Sequence, residues 1–503
     1  MSFIRSAGLI SACTLLSRIL GFARDAIASY FFGTSALWDA FALAFRIPNL
    51  FRRLFGEGAL TSAFLPAFVE RCEGGRPAEA GALLRKLSTA LALFLALGIA
   101  AAIGFTYLMP RLFPGDAKVA LEAPLLRIML PYLGLICVAA ILGAALNGLR
   151  HYFAPAFAPV LVNVVWIATL FVFPGSVEAV AWSVVAGGAL TLLVMIPPLR
   201  ARGMSIRPDL DLRDPGLRQV RRTFLPIVIG LAPAQINEVV GSVIAQHWIQ
   251  GTGAVSSLYY GNQLTQLPLA LIGTALATAV FPLLSSPKED FPDVFRRAMR
   301  LVFFLSVPAT AGLIALAEPI VALLFERGQF GADATSRVAG VVVWYSAGLW
   351  CYCANQIQAR AFYAKKDSAT PAKVGACMVL LNLGLTIALV GRFREIGIAV
   401  ANSVTGLATF LTLNALLRRR IPGLALGYAD FLKSAAASLL MAAAAWGLWR
   451  WLTLQVPGAT LGPKLIRALA PVAAGGAVYF LLARLFRMDE ARRLLRRRPD
   501  DAR

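Results

Sequence analysis

Apolar stretches long enough to cross a bilayer recur along the whole chain, near residues 6–32, 36–68, 87–109, 121–149, 154–173, 178–198, 223–249, 254–284, 298–317, 338–362, 373–391, 395–417, 431–453 and 465–486. A bilayer span needs about 20 such residues, so about 14 helices are expected, using roughly 280 positions. The chain has 503 residues, 58% hydrophobic and only 15% charged. An all-α polytopic membrane protein follows, and a water-soluble globule is excluded. The second and eighth stretches are long for one span. Each contains two prolines, Pro48 and Pro66 or Pro268 and Pro282, so both should bend where the ring removes a backbone hydrogen bond.

The distribution of basic residues orients these spans. Assigned to alternate loops, Lys and Arg divide 33 to 9, and 6 of the 48 remain within the spans. An excess of this kind marks the cytoplasmic side, so both termini are expected there. Arg18, Arg24 and Asp25 interrupt what a cleavable signal peptide would keep apolar, so the first segment is expected to stay in the mature protein. The net charge of +22 lies in loops rather than in a basic soluble domain, which excludes a nucleic-acid partner.

The two halves resemble each other at an offset of about 210 to 220 residues. Gly33-Thr34 leads to Pro48 and Pro66 as Gly251-Thr252 leads to Pro268 and Pro282, and Leu112-Phe113 corresponds to Leu324-Phe325. Six helices per copy is an even number, so the copies run in the same direction as a parallel repeat. The expected organisation is a six-helix bundle over 1–200, a basic cytoplasmic linker and hinge over 201–222, and a second six-helix bundle over 223–420. Two C-terminal helices over 421–486 and a basic cytoplasmic tail over 487–503 complete it.

Charged groups at membrane depth cost several kcal/mol unless they face water or a partner. Arg18, Arg24, Arg46, Arg52, Arg53 and Arg127 remain there, five of them in the first two spans beside Asp25, Asp39 and Glu57. Asp39, Arg46 and Arg53 recur every seven residues, as do Arg18 and Asp25, which puts each set on one helix stripe. Both stripes should face a cavity. The positive excess suits an anion, and guanidinium forks match the oxygens of a phosphate or diphosphate. The alternative is that Arg52, Arg53 and Glu57 pair among themselves or lie at the membrane boundary, with Arg18 snorkelling to a headgroup. Arg127, alone near a span end, reads as an interfacial residue.

The first helices of the second half are polar but nearly uncharged, with Gln235, Asn237, Glu238, Gln246, His247, Asn262, Gln263 and Gln266. These could bind hydroxyls of a headgroup or hydrogen-bond between helices. His247 reads as structural or interfacial. Asp209, Asp211 and Asp214 form the one acidic cluster near a cytoplasmic linker and read as a solvated loop, not as the acid/base set of a membrane transferase. The six cysteines lie mostly in apolar runs, and with two histidines in the chain they assemble no metal site.

The stretch Ser17-Arg18-Ile19-Leu20-Gly21-Phe22-Ala23-Arg24-Asp25 opens a series of motifs that runs through Asp39-Ala40-Phe41, Arg46-Ile47-Pro48-Asn49-Leu50-Phe51-Arg52-Arg53 and Gly56-Glu57-Gly58-Ala59. It resembles the N-terminal signature of the MurJ (MviN) lipid II flippases. Downstream, Leu231-Ala232-Pro233-Ala234-Gln235-Ile236-Asn237, Gln266-Leu267-Pro268, Leu324-Phe325-Glu326-Arg327-Gly328 and Ala361-Phe362-Tyr363-Ala364 extend the likeness over essentially the whole chain. The resemblance implies a transporter, not an enzyme, of the superfamily that also holds multidrug antiporters and polysaccharide-lipid flippases. Its substrate would be lipid II, the undecaprenyl-diphosphate-linked peptidoglycan precursor, flipped from inner to outer leaflet of the bacterial cytoplasmic membrane by alternating access.

Arg18, Arg24 and Arg52 would then contact the headgroup, Asp39 would be a cavity acid, and the helices over 431–486 would hold the lipid tail. Asp25, Arg46, Arg53 and Gln263 complete the candidate substrate-binding set. Family members commonly carry Arg where Gln263 follows Tyr260-Gly261-Asn262, so either Arg46 or Arg53 compensates or the cargo differs. A flippase for another polyprenyl-diphosphate glycan is the alternative, ahead of a drug antiporter, which would want acidic groups. No cofactor is expected; membrane potential or an ion gradient could drive the cycle. A monomer already contains both bundles.

Overall fold

The computed structural model describes residues 3–54, 60–211, 214–421, 423–424 and 427–491. Glu57, the side chain of Arg5 and the tail from 492 onward lie outside them. Among the described residues every regular element is helical, and the expected segments are helical apart from their end residues, a break at Leu316 and another at Gly348, with 55–59 of the second segment outside the described residues. Among the described residues nine helical stretches are long and apolar enough to cross a membrane by length and composition.

The chain forms two compact units, 1–255 and 256–503. The first holds α1 (Phe3–Phe32), α2 (Ala36–Phe51), α3 (Leu60–Glu73), α4 (Pro77–Leu112), α5 (Ala117–Gly148), α6 (Phe153–Val172), α7 (Val177–Arg200) and α8 (Pro215–Trp248). Helix starts follow the local chemistry, since an N-cap side-chain oxygen satisfies an otherwise orphan N–H. Ser35 accepts the Trp38 N–H at 3.3 Å, Asp116 the Lys118 N–H at 2.9 Å, and Asp214 the Gly216 N–H at 2.6 Å. At the centre, α5 packs against α2, α4 and α7. A Cβ at Gly188 would lie 2.6 Å from the Tyr132 ring, so glycine is what lets α7 approach α5 this closely, as helix packing in lipid favours.

The linker expected at 201–222 does not mark the division between the packed units, because α8 beyond it rests on α2, α3 and α4. The acidic cluster expected as a solvated loop is what holds that linker down. Lys86 Nζ lies 2.7 Å from Asp211 and 3.0 Å from Asp214, Arg85 lies 3.7 Å from Asp209, and Thr89 Oγ1 accepts the Asp209 N–H. Partial burial pushes the Asp214 carboxyl up, but the Lys86 ammonium, the Gly216 N–H and the nearby Arg71 charge outweigh it and hold the group below its usual range.

The second unit holds α9 (Ala254–Pro268), α10 (Ala275–Ser285), α11 (Phe291–Ala315), α12 (Ala317–Leu324), α13 (Ala332–Ala347), α14 (Leu349–Ala364), α15 (Ala369–Arg420), α16 (Tyr428–Gln455) and α17 (Leu461–Leu485). The two long spans are distorted as their prolines predict. A π-helical turn at 52–54 follows Pro48, and a π-helical segment, Leu269–Thr274, follows Pro268. At about 1.5 Å per residue, the 52 residues of α15 exceed two bilayer thicknesses, and Arg394 at φ 53°, ψ −137° breaks it into the two expected spans. The segment expected over 338–362 is divided at Gly348, where a Cβ would lie 2.9 Å from Ser403 Cα. The Ser403 hydroxyl donates to the Trp344 carbonyl that this break frees. The C-terminal helices join through α11, with Tyr479 Oη donating to the Phe304 carbonyl at 2.7 Å.

Candidate functional site

The Asp39, Arg46 and Arg53 stripe is realised on α2 and the turn after it, and all three side chains reach α8 or its C-terminal turn. Asp39, 3% exposed, accepts the Gly253 N–H. Arg53 Nη1 lies 2.8 Å from Glu238 Oε2. Arg46 Nη1 lies 3.9 Å from Glu238 Oε1 and donates to the Glu238 carbonyl at 3.4 Å. The two arginines therefore converge on one carboxylate; the alternative pairing of Arg52 and Arg53 with Glu57 lies outside the described residues. Arg52 turns aside, its Nε donating to Asn49 Oδ1 at 2.9 Å.

On α1 the arrangement is different. Asp25 is buried, Arg18 lies exposed, and among the described residues no hydrogen bond or ion pair engages Arg18. Arg24 takes Asp25 Oδ1 with both Nε and Nη2, at 3.0 and 2.8 Å, and donates to Asn163 Oδ1 at 3.2 Å. Its guanidinium lies 4.4 Å over the Trp166 ring, a face-on cation–π contact. Asn163 is fixed in turn by donating to the Ser17 and Pro159 carbonyls at 3.1 Å. Trp166 meets Phe41 and Phe45 edge-on, and Phe41 continues a stack through Trp38 to Phe32. That aromatic chain links the Arg24 site on α1 and α6 to the base of α2, where Asp39 sits.

The far end of α8 is tied to α5. Lys118 Nζ donates to the Gln246 and Ile249 carbonyls, which are among the last acceptors of α8 and attract a cation. His247 stands between two acids, 3.5 Å from Asp116 and 3.4 Å from Glu122, a buried group with 2% of its side chain exposed. His247 thus ties the end of α8 to the start of α5. Burial pushes the Asp116 carboxyl up, but the Lys118 and Val119 N–H groups and the His247 ring outweigh it and hold it below its usual range.

Gln263 lies in the second unit on α9, half-buried, in the turn after Tyr260, which packs against Phe325 and Phe330. Arg127 is not a lone interfacial residue: its guanidinium lies 3.6 Å over Tyr107 and its Nε donates to Thr106. Sequence reasoning passed over Asn163 and Trp166, and it named Glu238 without its pairing to Arg46 and Arg53. Of these only Glu238 carried a signal, as the single acid in the sequence of α8. The six cysteines are all free, and among the described residues no group of metal-ligating side chains is found. Of the five candidate arginines, Arg24 meets Asp25 and Arg46 and Arg53 meet Glu238.

A family model described as "Lipid II flippase MurJ" matches residues 27–460. The lipid II flippase MurJ of Burkholderia cenocepacia is 34% identical over 439 residues, 84% of each chain. A solved structure of lipid II flippase MurJ in an inward closed conformation superposes with a TM-score of 0.79 at 26% identity, covering 96% of this chain and 99% of that one. An inward-facing multidrug resistance MATE family transporter of the MOP superfamily superposes at 0.65 with 17% identity, covering 82% and 98%, a likeness of fold alone.

Proposed function

The chain belongs to the MurJ lipid II flippase family, a family of membrane transporters and not of enzymes, and from that premise we propose that it carries lipid II from the inner to the outer leaflet of the bacterial cytoplasmic membrane. The observation that carries the site reading is the convergence of Arg46 and Arg53 on one carboxylate. A stripe that already holds one oxyanion is built to hold another, and a diphosphate offers more oxygens and more charge to the same forks. Arg24, fixed by Asp25, Asn163 and Trp166, Arg52 and Arg18 add positive charge to that reading, with Asp39 a buried acid of the same unit and Gln263 a candidate contact carried by the second unit. The helices α16 and α17 take the lipid tail. A cleft of about 560 Å³ walled mainly by Ile314, Ala339, Val343, Ala442, Trp446 and Trp449, with Glu318 and Ser336 also on its lining, supports the α16 part of that assignment by its mostly apolar surface.

The cycle is alternating access with both termini in the cytoplasm. With the site open inward, the diphosphate relieves repulsion among the arginines, and that relief favours closure and outward opening. Membrane potential returns the empty, positively charged site inward, since about 2.3 kcal/mol is available per charge per 100 mV. Transport by the purified monomer that is indifferent to potential-collapsing ionophores would remove that driving force from the scheme.

The test is lipid II exposure on the outer leaflet of cells depleted of their own flippase and supplied with this chain, or with Arg24→Ala, Arg52→Ala or Gln263→Arg. Rescue by the native chain and its loss in the first two variants are expected. A native chain that inserts but rescues only as Gln263→Arg would instead favour another polyprenyl-diphosphate-linked glycan as cargo, the reading that the departure at Gln263 supports.

A further inference from the structure

We propose that Glu238 is the chain's own substitute for the substrate anion: it occupies Arg46 and Arg53 in the empty protein and must be displaced by the incoming diphosphate, so it sets the affinity of the site. The inference rests on the arginine reading above and adds a residue to it.

Three features of Glu238 separate it from the other acids of the first unit. It is the single carboxylate of α8, in a helix that otherwise offers amides and hydroxyls at this depth. Its two oxygens are divided between two arginines, with Oε2 2.8 Å from Arg53 and Oε1 3.9 Å from Arg46. And its side chain is 35% exposed, whereas that of Asp25 is 4% exposed. A carboxylate buried like Asp25 cannot leave its arginine without a large desolvation penalty. A carboxylate one-third open to solvent can, because water replaces the guanidinium when it swings away.

The exchange is favourable in one direction only when the competitor is stronger. One carboxylate supplies two oxygens and one charge, whereas a diphosphate supplies several oxygens and at least two charges across the same pair of guanidinium groups. A weak anion such as a simple carboxylate gains nothing by replacing Glu238. The residue therefore acts as a threshold that discriminates for polyanionic headgroups, a form of specificity by competition. The displacement also has a mechanical consequence, because Glu238 belongs to α8 and the arginines to α2 and the turn after it. Binding the anion breaks a side-chain tie between these elements. The Arg46 bond to the Glu238 carbonyl, at 3.4 Å, does not depend on the carboxylate.

The experiment uses the full-length chain purified in detergent and measures binding of undecaprenyl diphosphate to the native protein, Glu238→Gln, Arg46→Gln and Arg53→Gln. Removing the internal competitor should tighten binding by roughly two- to fivefold, the upper part of the range for a partly exposed ion pair, and ligand-free thermal stability should fall. Arg53→Gln should bind more weakly than the native chain. If Glu238→Gln binds no tighter while Arg53→Gln still loses affinity, the competition is overturned and the arginine reading stands. If both arginine variants bind as the native chain does, the arginine reading itself fails. Should Glu238→Gln not fold, Glu238→Asp, whose carboxylate is one methylene short of Arg53, should show a smaller tightening, and its absence would overturn the inference equally.

Discussion

The Asp39 carboxylate accepts the backbone N–H of Gly253, fastening the start of α2 to the turn that ends α8. Gly253 sits at φ 86°, in the left-handed region open to glycine. Asp39→Leu keeps the branched shape but adds bulk and removes this acceptor where solvent is scarce, which costs about 1–3 kcal/mol. Asp39→Asn keeps an acceptor and should cost less. Thermal unfolding in detergent should therefore rank native above Asn above Leu. Equal melting temperatures for the two variants would mean that the contact contributes no hydrogen-bond stability.

Arg24 should not be replaceable by lysine. Its fork places two nitrogens on Asp25 and a third on Asn163, while the guanidinium plane lies over Trp166. An ammonium keeps the charge but cannot make the bidentate contact and the stack together. Arg24→Lys is expected to lose most outer-leaflet exposure of lipid II in depleted cells. Trp166→Leu removes the cation–π contact, about 0.5–2 kcal/mol, together with the edge-on contacts to Phe41 and Phe45, and should give a partial loss of outer-leaflet exposure once matched for the amount of folded protein. Full activity of Arg24→Lys would show that charge, not geometry, is what this position supplies.

How much of this was legible in the sequence depends on whether the determinant was local. The helices were, because a spanning length of apolar residues needs no partner to be recognised, and the break of α15 near residue 394 was marked by Arg392, Arg394 and Glu395. The break at Gly348 was not, since it depends on the approach of Ser403 from a distant helix. In the site, the seven-residue spacing placed Asp39, Arg46 and Arg53 on one stripe, and the structure keeps them together. What they touch was hidden. Glu238 meets them because α8, from beyond the linker, packs against α2 and α3, and Asn163 and Trp166 are ordinary residues of an apolar helix until Arg24 arrives.

Those linker pairs make a separate prediction. Lys86 bridges Asp211 and Asp214, with the Asp211 side chain more than half exposed. Exposed pairs contribute about 0–1 kcal/mol each, so Lys86→Ala should lower the melting temperature little. Its effect should be local instead, releasing the strand of chain over 203–211 that has no helix of its own. Limited proteolysis should cut the variant in this stretch several-fold faster than the native protein. Unchanged cleavage would mean that the Arg85 and Thr89 contacts hold the linker unaided.

The tie at the other end of α8 should weaken in acid. Asp116 caps α5 and faces His247, and its carboxyl is held below the usual range of about 3.9, burial being outweighed by the Lys118 and Val119 N–H groups and the imidazole. A folded value below the unfolded one means that the stabilisation is complete above about pH 4 and fades as pH falls through the depressed value. With the side chain 35% exposed, the effect is no more than about 1 kcal/mol. Asp116→Asn isolates the charge, because asparagine caps a helix as well as aspartate does. The native protein should therefore be the more stable of the two at pH 6, and the difference should close as the pH is lowered past 4. Equal stability of the two proteins at pH 6 would show that the cap, and not the ion pair with His247, is what Asp116 supplies.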